Sequence, residues 1–128
     1  MSRKPTVKSR RKQKALRFGR RAELLAALSL MLKGYRILRR RFKTSTGEID
    51  LIARRGRLLI AVEVKARQTL GQAAEAVTPG QRARIVRALE VFIAARPDCA
   101  RMDIRFDVMA VRPRCWPVHL KDAWRPDA

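Results

Sequence analysis

Histidine and cysteine are nearly missing from this 128-residue chain, which carries one His and two Cys. A Ser–His or Cys–His catalytic pair would have to use His119, and nothing around it supports one. His119 therefore reads as a surface or edge-strand residue. Cys99 and Cys115 lack metal-site spacing and any secretory context, so they read as reduced thiols of a cytoplasmic protein. Acids are scarce too: 11 Asp and Glu stand against 31 Lys and Arg, a formal net charge of +20. Such a charge opposes compaction unless a polyanion neutralises it, which makes nucleic acid the leading partner. No apolar run is long enough for a bilayer. The run Leu24–Leu32 is too short to span, and Lys33-Gly34-Tyr35-Arg36 follows it in place of a small-residue cleavage site. The reading is no membrane, and a length that suits one domain with a modest core.

What is present is patterned. Met1 to Arg21 carries ten Lys or Arg and no acid. Residues 1–14 read as a disordered basic arm making non-specific phosphate contacts, and 15–128 as a single domain. Ala15 to Lys33 reads as a helix closed by Gly34. One broad stripe holds Leu24, Leu25, Leu28, Met31 and Leu32. A second, narrow stripe of mostly small residues holds Gly19, Glu23, Ala26 and Leu30, and allows close approach to a sheet. Glu23 is out of place there, either as an acid near a metal or as the partner of an Arg such as Arg20. Tyr35 to Phe42 reads as a strand, ending in the basic run Arg39, Arg40, Arg41 and Lys43.

Thr46 to Arg67 then reads as a β-hairpin. Glu48–Ala53 and Leu58–Lys65 are its strands, joined by the turn Arg54-Arg55-Gly56-Arg57; a two-residue loop at Arg55-Gly56 would pair Asp50 with Ala61 and Glu48 with Glu63. Alternation puts Ile49, Leu51 and Ala53 on one face and Glu48 and Asp50 on the other. An even-length loop places Glu48, Asp50, Glu63 and Lys65 on one patch, with Asp50 and Glu63 as diagonal neighbours roughly 7–8 Å apart at the backbone. Clustered acids repel one another, and a hard divalent cation with oxygen ligands compensates them. In the superfamily that this pattern resembles, named below, the chemistry is phosphodiester hydrolysis. A metal polarises the phosphate and lowers the pKa of water, and a cation stands by the developing charge.

Thr78-Pro79-Gly80-Gln81 opens a second long helix with a cap, a first-turn Pro and a capping-box Gln. Ile85, Val86, Leu89, Phe92 and Ile93 form its buried stripe. Its N-terminus, with Arg82, Arg84 and Arg87, suits phosphate. Met102 to Val111 reads as a strand in which Asp103 and Asp107 salt-pair with Arg105. The intervening helix implies a crossover and a parallel strand pair. Val118–Leu120 reads as a short edge strand, with Trp124 packing down the tail.

The Asp50…Glu63-x-Lys65 pattern resembles the active-site signature of the PD-(D/E)xK nuclease superfamily. The element order is similar to its αβββαβ core, the α/β restriction-endonuclease-like fold with a central mixed sheet flanked by helices. More closely, the chain resembles the YraN family of small uncharacterised bacterial proteins. The matching stretches are Gly19…Glu23…Ala26…Leu30…Gly34-Tyr35, Gly47-Glu48-Ile49-Asp50-Leu51-Ile52, Val62-Glu63-Val64-Lys65-Ala66-Arg67, Gly71…Glu75-Ala76-Val77, Arg84, and Arg105-Phe106-Asp107-Val108. The superfamily resemblance implies Asp50 and Glu63 as metal ligands, the Val64 carbonyl as a third, and Lys65 positioning or activating water. It also implies Glu23 near the metal and Gln81 at a helical position that bears Gln or Lys in other members. Ile49 departs from the superfamily's name by standing where Pro is expected.

The function these readings point to is a Mg²⁺- or Mn²⁺-dependent endonuclease acting on DNA, including branched or structured DNA. Arg39, Arg40, Arg41, Lys43, Arg67, Gln81, Arg82, Arg84 and Arg87 would contact nucleic acid. The alternatives are a non-catalytic nucleic-acid-binding protein on the same fold, and an interaction protein that forms a homodimer through the leucine stripe.

Overall fold

The computed structural model of the protein describes residues 6–126. Helix α1 spans Val7–Leu32, and Thr6 caps it by accepting from the Ser9 N–H at 3.2 Å. It therefore starts eight residues before the expected Ala15. The added segment contains no Gly or Pro and is rich in Lys, Arg and Gln, which are good helix formers. Part of the stretch read as a disordered arm is thus helical, and residues 1–5 of it lie outside the described residues.

Strands β1 (Arg36–Lys43), β2 (Glu48–Arg55) and β3 (Leu58–Lys65) follow. Next come the short helix α2 (Leu70–Glu75), the long helix α3 (Pro79–Ala94), a one-turn 3₁₀ segment, and strands β4 (Asp103–Ala110) and β5 (Val118–Trp124). The sheet order is β1-β2-β3-β4-β5. Successive pairs are antiparallel except β3–β4, which is parallel, as the intervening helices require. This is a mixed five-stranded sheet flanked by helices, consistent with a restriction-endonuclease-like core.

Each face of the sheet has its own core. On one side Ala26, Ala27 and Leu30 of α1 meet Leu51, Ala53, Ile60, Val62 and Met109. Small residues on α1 bring it close to the sheet, as the narrow stripe implied. On the other side Ile85, Ala88, Leu89 and Phe92 of α3 meet Ile52, Leu59, Ala61, Phe106 and Val108. Trp124 closes that side by stacking on Phe106, ring centroids 4.2 Å apart.

Two readings of the hairpin need correction. Arg55 pairs with Leu58, so the two-residue loop is Gly56-Arg57 and not Arg55-Gly56. Gly56 takes φ +59°, which only glycine adopts cheaply. The register shifts by two residues, so the parity of the faces survives. Ile49, however, packs with Ile52 in the α3-side core and not with Leu51 and Ala53. Residues three apart cannot share a face of a regular strand, so β2 rotates between Ile49 and Ile52, beside Arg41 of β1 at φ +51°.

Asp107 is fully buried. Arg105 grips it with two bonds of 2.8 Å and also donates to the Tyr35 hydroxyl at 2.9 Å. The expected Arg105–Asp107 pair is present, whereas Asp103 is exposed and takes no part. His119 lies on the edge strand β5, but it is not a surface residue: its side chain is only 2% exposed. Its Nδ1 faces Lys33 Nζ at 3.4 Å, which leaves Nε2 to donate to Asp107 at 2.7 Å. Burial alone would raise the Asp107 pKa, but the hydrogen bonds from His119 and Arg105 outweigh it and hold the carboxylate below its ordinary value. Asp107→Ala strips the carboxylate from Arg105 and His119 together. It should cost about 3–5 kcal/mol in urea unfolding at neutral pH. Because the folded pKa is depressed, this contribution is present above the unfolded carboxylate pKa. The gap between wild type and variant should therefore close as acid is added.

Candidate functional site

The β2–β3 ladder runs from Arg55↔Leu58 to Leu51↔Val62. One step further the same register sets Asp50 directly opposite Glu63, closer than the diagonal relation expected. Here side chains replace the backbone ladder. The Asp50 N–H donates to Glu63 Oε1 at 3.4 Å, and the Val64 N–H donates to Asp50 Oδ2 at 2.8 Å. Val64 thus enters the site through its N–H. The hairpin opens where the two carboxylates sit between its strands.

Two helices reach into this opening. Gln81, in the first turn of α3, donates from Nε2 to Glu63 Oε2 at 3.4 Å, and its Oε1 accepts from Lys65 Nζ at 3.3 Å. Thr78 caps α3 through the Gln81 N–H, as expected. The Gln81 side chain does not complete a capping box, because it is spent on the site. From α1, Glu23 pairs with Arg41 Nε at 2.5 Å, so its partner is Arg41 and not Arg20. Glu23 also lies close enough for its charge to raise the Asp50 pKa.

Position follows from a close backbone approach. A Cβ on Gly47 would lie 2.2 Å from the Arg84 carbonyl oxygen of α3. Glycine alone lets the β1–β2 turn rest on that helix, and Thr44 Oγ1 braces the turn by accepting from the Thr46 and Gly47 N–H groups. This contact ties the start of β2, and with it Asp50, to the helix that carries Gln81.

The electrostatics are those of two acids held side by side, Glu63 buried and Asp50 half-buried. Glu63 is 4% exposed. Burial and the neighbouring Asp50 raise its pKa to about 9, against the pull of Lys65. Burial raises Asp50 as well, opposed by the Val64 N–H and by its hydrogen bond with Glu63. At neutral pH the pair holds a proton. Among the described residues no group of three or more His, Cys, Asp and Glu side chains converges to hold a metal ion. Two carboxylates are nonetheless enough for Mg²⁺, which keeps several waters and takes only one or two protein carboxylates. The donor set fits such an ion, bound in exchange for the proton, and does not fit a four-ligand zinc cage.

A family model described as uncharacterised protein family UPF0102 matches residues 22–111. The chain belongs to the UPF0102 family. UPF0102 proteins of Chelativorans sp. and Parvibaculum lavamentivorans are each 55% identical to it, covering 88% of this chain and 91% and 84% of their own lengths. A third, from Paramagnetospirillum magneticum, is 52% identical over 93% of this chain and 95% of its own. The YraN resemblance is this same family, and its matched span holds Glu23, Asp50, Glu63, Lys65 and Gln81 together.

The basic residues of this UPF0102 chain do not form one surface. Arg39, Arg40 and Arg41 line a cleft of about 550 Å³ between α1 and β1 with Arg20 and Glu23. Lys43 and Arg84 line a hydroxyl-rich hollow of about 500 Å³ with Thr44, Thr46, Thr78, Glu48 and Gln81. Arg67 lies beside Phe18 and Gln72, donating to the Ala66 carbonyl. Arg82 turns back onto the Val77 carbonyl and the Trp124 ring, and Arg87 shares that distant side of α3. The cleft and the hollow are lined by residues that also build the carboxylate site; the other positions lie elsewhere. The hydroxyls of the hollow escaped the sequence reading, although Thr44-Ser45-Thr46-Gly47 ahead of Glu48 was the available cue.

Two outcomes follow. The folded pKa of Glu63 lies above its unfolded value of 4.5, so the folded state holds the extra proton between them. Stability of the metal-free protein should fall as pH rises from about 5 to about 9. Glu63→Gln should flatten most of that slope in thermal unfolding. Gly47→Ala should lower stability by about 1–3 kcal/mol or more in urea unfolding, because the β1–β2 turn must lift from α3.

Proposed function

We propose that this protein is a Mg²⁺-dependent nuclease that hydrolyses phosphodiester bonds, with DNA as the favoured substrate. The observation that carries the reading is the convergence of Asp50, Glu63, Lys65 and Gln81, from two strands and a helix, into one hydrogen-bonded group. Asp50 and Glu63 would hold the ion, which supplies charge for the phosphate and a lowered pKa for water. Glu63 would have to give up its proton to serve as a ligand. Lys65 would then face an anionic neighbour in place of a neutral one. As a cation in this group it would offset the negative charge that grows on a phosphate. Gln81 holds Lys65 and Glu63 in mutual register through its amide. Glu23 keeps Arg41 in place and adds negative charge toward Asp50, which favours a divalent cation there.

The basic clefts flanking this group support a nucleic-acid substrate. Arginines and lysines grip backbones without reading bases, and the net charge of +20 supplies the long-range attraction. The hollow beside Gln81 is lined with hydroxyls and with Lys43 and Arg84, a suitable lining for the phosphate of a neighbouring nucleotide.

The test incubates the protein with duplex, single-stranded and four-way-junction DNA, with Mg²⁺, with Mn²⁺ and with chelator. Metal-dependent cutting should fall by at least ~100-fold in Glu63→Ala and Lys65→Ala. Binding measured with chelator should survive both changes and weaken steeply with salt, with a slope near −0.9 per phosphate neutralised. Salt-sensitive binding with no cutting of any substrate overturns the nuclease and leaves a nucleic-acid-binding module on the same fold.

A further inference from the structure

Helix α1 turns its small residues to the sheet and leaves its large ones outside. Leu24, Leu25, Leu28, Met31 and Leu32 are 37% to 71% exposed and lie contiguously on its outer face. Together they offer roughly 500 Å² of apolar surface, as large as the largest patch on a typical monomer. The other exposed large apolar residues of the described chain are scattered on separate elements, Val91 on α3 among them. No helix of the described chain is long and apolar enough to cross a membrane.

We infer that a second copy of this chain covers this face, with the two α1 helices antiparallel about a twofold axis at Leu28. The spacing carries the inference. An isologous contact needs a surface complementary to itself under twofold rotation. The stripe is symmetric about Leu28: reversing the helix brings Leu24 onto Leu32, Leu25 onto Met31, and Leu28 onto itself. The area agrees. A stable interface buries about 800 Å² per partner, and a little over half of that is apolar. The stripe supplies that apolar share, and the polar residues around it supply the rim. The pairing does not depend on the nuclease reading. It would fix the two carboxylate sites relative to each other, because Glu23 sits on the helix that pairs.

Sedimentation of the full chain, freed of nucleic acid, tests this at micromolar concentration. The expected mass is twice 14.7 kDa. Added salt should tighten the dimer, since it screens the repulsion between two strongly basic copies. Association bridged by nucleic acid loosens under the same change. Leu28→Arg should weaken the dimer by at least ~30-fold while the monomer keeps its fold, because Leu28 is already half exposed in the single chain; the thermal midpoint should fall only by what the lost association contributed. In a Cys115→Ser background, Leu28→Cys should cross-link to its own copy under mild oxidation, and Val91→Cys should not. A monomer at every concentration and salt overturns the inference. So does a dimer that Leu28→Arg leaves intact and Leu28→Cys does not trap. A monomer that binds phosphatidylcholine–phosphatidylglycerol vesicles, and loses them with Leu28→Arg, overturns it in favour of a membrane-surface role for the stripe.

Discussion

Two carboxylates share one narrow gap between β2 and β3, and much of the architecture exists to keep them there. Asp50 and Glu63 take over the hydrogen bonds that the backbone ladder gives up at that point. Two ionised acids so close would repel each other without the screening that water gives. The metal-free protein resolves the conflict with a proton, and a divalent cation would resolve it with charge. The gap is therefore a stored electrostatic demand. Both helices answer it in part, α3 through Gln81 and α1 through the Glu23–Arg41 pair.

That demand is affordable because the rest of the sheet is firmly held. Both faces of β3 are buried, one under α1 and the other under α3. At the far strands, Asp107 gathers Arg105, His119 and the Asp122 N–H around one carboxylate, so β4, β5 and the end of α1 are tied together. The two buried acid sites contrast instructively. Donors around Asp107 hold its pKa below the ordinary value; burial and the neighbouring Asp50 push that of Glu63 up. The same residue class is driven toward opposite protonation states in the two places, and neighbours decide which way.

The net charge of the chain has a spatial counterpart. Some arginines are consumed internally: Arg105 by Asp107, Arg41 by Glu23, Arg82 by a carbonyl and an indole face. Lys43, Arg39, Arg40 and Arg84 remain exposed around the clefts that adjoin the carboxylate site. A count of basic residues thus overstates the free positive charge, and only part of what remains exposed adjoins the site.

Local pattern determined a good deal here. Alternation and turn chemistry identified the hairpin, the Thr78 cap and Pro79 marked the start of α3, and the helical crossover implied the parallel β3–β4 pair. Those signals are short-range, so they survive without knowledge of the fold. The parity of Asp50, Glu63 and Lys65 was legible for the same reason. Tertiary packing decided what depends on distant neighbours. It chose the two-residue register shift that brings Asp50 opposite Glu63. It turned Ile49 to the α3 side, gave Glu23 to Arg41, drew Gln81 away from its cap and buried His119. Each of these is a competition between partners far apart in sequence, and only the folded chain brings the competitors within reach of one another.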